Sequence, residues 1–371
     1  MKHGAHRLSL LLLLWLAPLA ARGDTPSPAQ AMSLVARGYQ ALLKGTAGAD
    51  VDNVRLLARA GLAMRQAPHA AWSVAAHRRA LVLYLLSGGD GAAARDAAPL
   101  FPADEAPLVK AAMAYALAPD GKDARALLNF DALTAPAEIG GALAFAQARV
   151  AGKDDPGRAM RLLDTARLLA PGGLVEEAAL RRAVFLASET GDIKAFSLRA
   201  RDYRARFHAA VFAANFDETF RGAFAKFWLA GDAKTRGVLE DSLDQGGAGD
   251  RATLYDHLAR SAMAQRDLEG ARRAMHKAAE ADARFADRAR LWDIAAQAPH
   301  DPKAVAAKLA EAPQSALALE DQALMGAARL VAARIQAPTP PGDAAQAPPS
   351  PGAEKAEQMM READEVLRGA R

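Results

Sequence analysis

From Pro28 to Ile335, apolar residues recur three and four positions apart, the spacing that lines one face of an α-helix. No stretch alternates apolar and polar residues as a half-buried strand would, so the pattern predicts an all-α chain. Its two longest helical patterns lie in residues 170–216, APGGLVEEAALRRAVFLASETGDIKAFSLRARDYRARFHAAVFAANF, and join at Gly191-Asp192. Alanine and leucine dominate and aromatic residues make up 6% of the chain, a composition for helices that approach closely with little side-chain volume between them.

A turn punctuates this pattern repeatedly, as Gly88-Gly89-Asp90, Asp120-Gly121-Lys122-Asp123, Gly152-Lys153-Asp154, Gly191-Asp192 and Gly231-Asp232. Counted from Gly89, the glycines Gly121, Gly152, Gly191 and Gly231 lie 32, 31, 39 and 40 residues apart, a period suited to helix-turn-helix repeats. Ala124, Leu128 and Pro136 follow Gly121 with the same offsets that separate Ala159, Leu163 and Pro171 after Gly152, where Ala166 adds a further small residue. This is the layout of a second repeat helix that packs tightly through its small residues and ends at proline. A further unit reads as Tyr255, Leu258 and Ala259 on one helix, then Asp267, Ala271, Met275 and Ala278 on the next. The expectation is a tetratricopeptide-like helical-repeat solenoid with atypical helices at its ends. The uneven periods leave an irregular helical bundle as the competing arrangement.

The two ends differ from this region. Lys2 and Arg7 precede an apolar run from Leu8 to Ala20, the pattern of an export signal too short to span a bilayer comfortably. The small-x-small triplet Ala21-Arg22-Gly23 places cleavage before Asp24, with cleavage after Ala20 or Ala21 as the alternatives. The expected organisation is a signal peptide at 1–23, a helical-repeat domain at 24–336, a Pro-rich linker at 337–352 (APTPPGDAAQAPPSPG) and a C-terminal amphipathic helix at 353–371. That last helix aligns Ala356, Met359, Met360, Ala363, Val366 and Leu367 on one stripe. It is read first as docking back on the repeats or fraying, and secondly as a clasp for a partner.

Charge and cysteine content narrow the function classes. Removing residues 1–23 takes away Lys2, Arg7 and Arg22 and no acid, so 47 bases against 43 acids become 44 against 43. The mature chain is nearly neutral, which argues against a nucleic-acid footprint or a general attraction to anionic lipid. With no cysteine in the chain, thiolate catalysis, thiolate metal sites and disulfides are all excluded.

Catalytic motifs are missing: there is no nucleophile elbow, no HExxH, no phosphate-binding glycine loop and no dinucleotide fingerprint. Lytic transglycosylases also carry helical solenoids, but their catalytic glutamate precedes a serine and this chain has no Glu-Ser pair. His69, His77, His208, His257, His276 and His300 are dispersed; His257 and His276 face each other at best across one hairpin and read as surface or packing residues. Glu176-Glu177 reads as a solvated pair in which Glu177 meets Arg181 one turn on. Asp154-Asp155 before Pro156 reads as a helix N-cap. No residue is assigned a catalytic, cofactor or metal role.

Between Arg199 and Phe216, arginines interleave with aromatics. Tyr203, Phe207 and Val211 fall at intervals of four, so they read first as a core seam flanked by arginines. Where that seam is exposed, Arg199, Tyr203, Arg204, Arg206 and Phe207 become the partner-binding candidates. Charge reversal at Arg204 or Arg206 is then expected to weaken partner binding with helical content retained.

The segments YLLSGGD at Tyr84–Asp90, APGGLVEEAALRR, ETGD and RARFHAAVFAANF together resemble the MotC family of periplasmic motility proteins of flagellated alphaproteobacteria. The resemblance implies a periplasmic protein needed for flagellar rotation, whose partner is the periplasmic part of the stator subunit MotB, and it carries no catalytic residue over. The alternative function is a general periplasmic scaffold or assembly factor for an envelope complex. A peptidoglycan-cleaving enzyme is a third reading.

Overall fold

The computed structural model describes residues 25–152, 154–243, 246–311 and 319–337, and among these every regular element is a helix. The predicted export segment, nearly all of the Pro-rich linker, the final helix candidate and Lys153 lie outside the described residues. The chain divides into two compact units, one ending at Gly247 and one beginning at Ala248.

The first unit opens with α1 (Pro28–Leu43), α2 (Ala49–Gln66), α3 (Ala75–Leu86) and α4 (Ala106–Leu117). Then come α5 (Ala137–Ala151), α6 (Pro156–Leu169), α7 (Leu174–Thr190), α8 (Ile193–Phe207), α9 (Ala213–Ala230) and α10 (Ala233–Glu240). Ser27 starts α1 with a reciprocal capping box: its hydroxyl accepts from the Gln30 backbone, and the Gln30 side chain accepts from the Ser27 backbone. Three aspartates at or beside the turns are helix N-caps. Asp155, Asp192 and Asp232 accept from the backbone N–H groups of Arg158, Ala195 and Thr235 at 2.7, 3.0 and 2.8 Å. Gly191 sits at φ +75°, the left-handed conformation that ends α7 and turns the chain into α8.

Consecutive helices pack as the hairpins α5/α6 and α7/α8. Ala159, Leu163 and Ala166 of α6 are fully buried, and α7 buries Ala179, Leu180, Ala183, Val184 and Ala187. After Gly121 the chain departs from the expected second repeat helix: residues Asp123–Asn129 form a 3-10 helix. Gln147 of α5, itself buried, donates to the carbonyls of Leu127 and Phe130, both at 2.7 Å, and Arg158 of α6 donates to Leu128. These side chains from two later helices anchor the 3-10 segment, and the Leu127 carbonyl also accepts from the Phe130 N–H at 3.2 Å.

The first unit also makes contacts that an open stack of repeats lacks, where each repeat touches only its neighbours. The α1 helix packs on α3 and on α7, and the Val211 N–H beyond α8 donates to the Leu42 carbonyl of α1 at 2.9 Å. One continuous cluster of buried residues runs from Ala31 and Val35 of α1 to Ala183 and Leu186 of α7. Arg78 of α3 is buried with them, donating to both oxygens of Glu105 and to the Trp72 and Ser73 carbonyls.

The second unit comprises α11 (Ala248–Ala264), α12 (Leu268–Ala281), α13 (Ala286–Ala296), α14 (Pro302–Glu311) and α15 (Leu319–Gln336). The α11/α12 hairpin is the one read from the sequence: Tyr255, Leu258 and Ala259 are buried, as are Ala271, Met275 and Ala278, and Asp267 caps α12. Arg288 of α13 reaches Asp256 of α11 and Asp321 of α15, each at 2.7 Å, so one buried cation joins three helices. At the α11/α12 turn Arg266 holds φ +63°, the left-handed conformation that Gly191 supplies between α7 and α8.

These two turns predict opposite outcomes for exchanges at equivalent places. Gly191→Ala forces a side chain into the left-handed region and costs about 1 kcal/mol, whereas Arg266→Gly relieves the same strain and is neutral or stabilises by up to about 1 kcal/mol. Urea denaturation of the two variants checks the order, and the reverse ranking contradicts this account of the turns.

Candidate functional site

The segment Ala170-Pro171-Gly172-Gly173 separates α6 from α7 and sets up the most unusual chemistry in the first unit. Ala170 caps α6, Gly172 takes φ +71°, and Gly173 is the N-cap of α7 without a side chain to cap it. The cap is supplied from inside the helix, because Glu176 in the first turn accepts from the Gly172 N–H at 2.6 Å. Glu176 is 2% exposed and Glu177 is fully buried.

Burial of Glu177 corrects the solvated pair read from the sequence. The predicted contact with Arg181 forms, with the guanidinium donating to Oε1 at 3.0 Å and Oε2 at 3.3 Å. A second donor comes from α8, the Tyr203 hydroxyl, at 2.9 Å from Oε1. Burial, together with the adjacent Glu177 charge and the proton it accepts, pushes the Tyr203 phenol far above its ordinary value, so it stays a donor at every physiological pH. Glu176 faces Arg206 of α8, which donates through both terminal nitrogens, with Nη2 at 2.7 Å from Oε2. Adjacent carboxylates diverge, and each takes a donor from the same neighbouring helix. The N-terminal turn of α7 adds a favourable field for both.

Four of the five candidates on α8, Arg199, Tyr203, Arg206 and Phe207, are engaged in contacts within the fold. Tyr203 and Phe207 are 1% and 5% exposed and form the predicted core seam. Tyr203 stacks on Phe216 of α9 with centroids 3.8 Å apart, and the seam continues through Phe220, which stacks on Phe196, to Phe224 and Phe227. Arg199 pairs with Asp164 of α6 at 2.8 Å, beside the parallel pair Arg167–Asp202 at 2.8 Å. Arg206 holds Glu176. Arg204 lies over the Phe220 ring, 5.3 Å from its centroid, and has no carboxylate partner among the described residues. Leu198, Arg201 and Ala205 form the solvent-facing edge of α8.

A concave site the sequence reading missed adjoins this arrangement, sharing Arg181 and Phe216 with it. A cleft of about 540 Å³ is lined by Phe145 and Arg149 of α5, Arg181, Arg182 and Phe185 of α7, and Phe216 of α9, among others. Phe185 is 37% exposed, the one exposed aromatic side chain among the described residues. Arg182 stacks on it at 4.8 Å, and the Arg149 charge lies near Tyr115, where it opposes the rise that burial gives the phenol. The pair Arg181-Arg182 followed by Phe185 was visible in the sequence, but the facing wall comes from α5 and α9.

Chemistry of other kinds finds little support in the geometry. No group of three or more His, Asp or Glu side chains among the described residues could hold a metal ion. His257 is exposed, and His276 lies 3.0 Å from Asp293. No helix among the described residues is long and apolar enough to cross a membrane.

The carboxylate network predicts a graded series. Tyr203→Phe removes one donor from a buried carboxylate and costs about 1–2 kcal/mol. Arg206→Glu sets a second acid against buried Glu176 and costs more, about 3 kcal/mol. Charge reversal at Arg206 is thus no clean probe of partner binding. Urea midpoints check the ranking; equal, negligible effects would mean that these carboxylates are solvated in solution.

Comparison with known proteins agrees with this layout at the level of family. The family model described as "Chemotaxis protein MotC" matches residues 5–370. A protein named "Chemotaxis protein MotC" from Rhizobium meliloti strain 1021 is 33% identical over 211 residues, which are 55% of this chain and 47% of that protein. The chain thus matches about half the length of this curated relative. No solved structure matches. With a family match that takes in every helix described above, the chain belongs to the MotC family of motility-related proteins.

Proposed function

We propose that this chain is a non-enzymatic periplasmic motility protein that binds the periplasmic part of the stator subunit MotB and thereby supports rotation of the flagellar motor. The observation that carries the reading is the family match across residues 5–370. An apolar segment at Leu8–Ala20 behind Lys2 and Arg7 supports export. The packed helical hairpins α5/α6, α7/α8 and α11/α12 support a binding role, since such hairpins present broad preformed surfaces. The non-enzymatic reading is supported by the use of Glu176 and Glu177, whose oxygens are taken by Gly172, Arg181, Tyr203 and Arg206 rather than aimed at a cavity.

On α8 the surface left for a partner is the edge formed by Leu198, Arg201 and Ala205, with Arg204 beside it, while Arg199, Tyr203, Arg206 and Phe207 hold the presenting helix in place. Titration calorimetry of residues 24–371 against the soluble periplasmic part of the cognate MotB tests the proposal. Saturable binding of about 8 kcal/mol or more, micromolar or tighter, is the expected outcome. No heat of binding between two folded components contradicts it and favours the general envelope scaffold.

A further inference from the structure

The cleft between α5, α7 and α9 does not end at its own walls. At Asp120 it adjoins a second hollow of about 200 Å³ lined by Lys122, Arg125 and Val150, among others. At Gly121 and Lys122 that hollow adjoins a third, of about 330 Å³, floored by Met113 and Leu117 of α4 with Lys110 at its side. The three hollows thus follow one another along the Asp120–Lys122 turn, with exposed Phe185 lining the first and Leu117, 63% exposed, lining the last; together they are treated as one groove.

The charges along this groove are one-sided. Lys110, Lys122, Arg125, Arg149, Arg181 and Arg182 line it, against Asp120, Asp123 and Asp154. Arg125 is paired with Asp154, and Arg181 is held by buried Glu177. Arg149 and Arg182 have no carboxylate ion pair among the described residues; Arg149 is exposed, and Arg182 is held by stacking on Phe185. Two guanidinium groups without an acid partner thus line the same hollow as exposed Phe185, although the mature chain as a whole is nearly neutral.

From this we infer that the groove is a docking site for an extended acidic protein segment that carries apolar or aromatic side chains. Carboxylates meet Arg149 and Arg182, where planar guanidinium groups suit bidentate capture. Apolar side chains cover Phe185 at one end and Leu117 at the other. An extended chain fits a groove of this kind, in which pockets follow one another along a line. A lipid surface is too flat to reach its floor. The inference concerns the chemistry the groove accepts and stands apart from the identity of the stator partner.

The test uses residues 24–371 and two short fluorescein-labelled peptides, one alternating Asp or Glu with Phe and Leu, the other with each acid replaced by Lys. Fluorescence anisotropy is expected to show saturable binding of the acidic peptide only, weakening as salt is raised. The double variant R149Q/R182Q should lower that affinity about tenfold or more, and Phe185→Ala should weaken it as well. Arg59→Gln, on α2 outside the groove, should leave it unchanged. These side chains are at the surface, and unchanged circular dichroism and melting confirm that each variant is folded. Should a variant fail to fold, hydrogen exchange on the unaltered protein decides instead: the acidic peptide should protect the Arg182–Phe185 amides, and no protection there overturns the inference. The inference is also overturned if the acidic peptide does not bind, if both peptides bind alike, if R149Q/R182Q binds as the unaltered chain does, or if anionic lipid vesicles bind and the peptide does not. Failure of the MotB titration with success here would reject the stator reading and leave the groove intact.

Discussion

Two adjacent carboxylates are buried at the start of α7, and the centre of the first unit is arranged to keep them satisfied. An unpaired buried charge costs several kcal/mol, so Glu176 and Glu177 can occupy these positions only while their donors stay in place. Two of those donors, Tyr203 and Arg206, come from α8, and a third is the backbone of the loop that ends α6. Holding α8 at that distance brings Tyr203 onto Phe216 and aligns the aromatic seam with α9. The carboxylates thus fix the register of α8 against α7, and the ion pairs of Arg199 and Arg167 fix it against α6.

Much of this fold could be read from local signals, and the failures share a physical cause. The aspartate N-caps, the left-handed Gly191, the α7/α8 and α11/α12 hairpins and the small buried face of α6 are set by residues within one or two turns of each other. The 3-10 helix after Gly121 is anchored by Gln147, 20 residues beyond Leu127, a contact that the local alanine and leucine spacing, which pointed to an ordinary repeat helix, does not reveal. Glu177 has the right spacing from Arg181 for a surface pair, and only the fold brings Tyr203, 26 residues later, over it. Sequence spacing identifies which side chains are able to meet, while burial follows from elements that arrive later.

The same distinction applies to function. Arginine and aromatic residues on α8 stood out in the sequence because they are dense there, and the structure uses most of them internally. The groove along α4, α5, α7 and α9 draws its residues from segments far apart in sequence, each unremarkable alone. What is shown of this chain is its membership of a family of motility-related proteins and its build of packed helical hairpins. The rigid α7–α9 block then has a direct role, because a groove whose wall is α7 keeps its shape only while α7 is locked to its neighbours.

That locking is the central claim, and native-state hydrogen exchange of the amides in α7 and α8 tests it most directly. If Glu176 and Glu177 are buried and held by Tyr203 and Arg206, the amides of Ala179–Ala187 and Ala200–Tyr203 exchange only through global unfolding, and Tyr203→Phe accelerates both helices together. Exchange of α7 and α8 at unrelated rates, each through small local openings, would contradict the account.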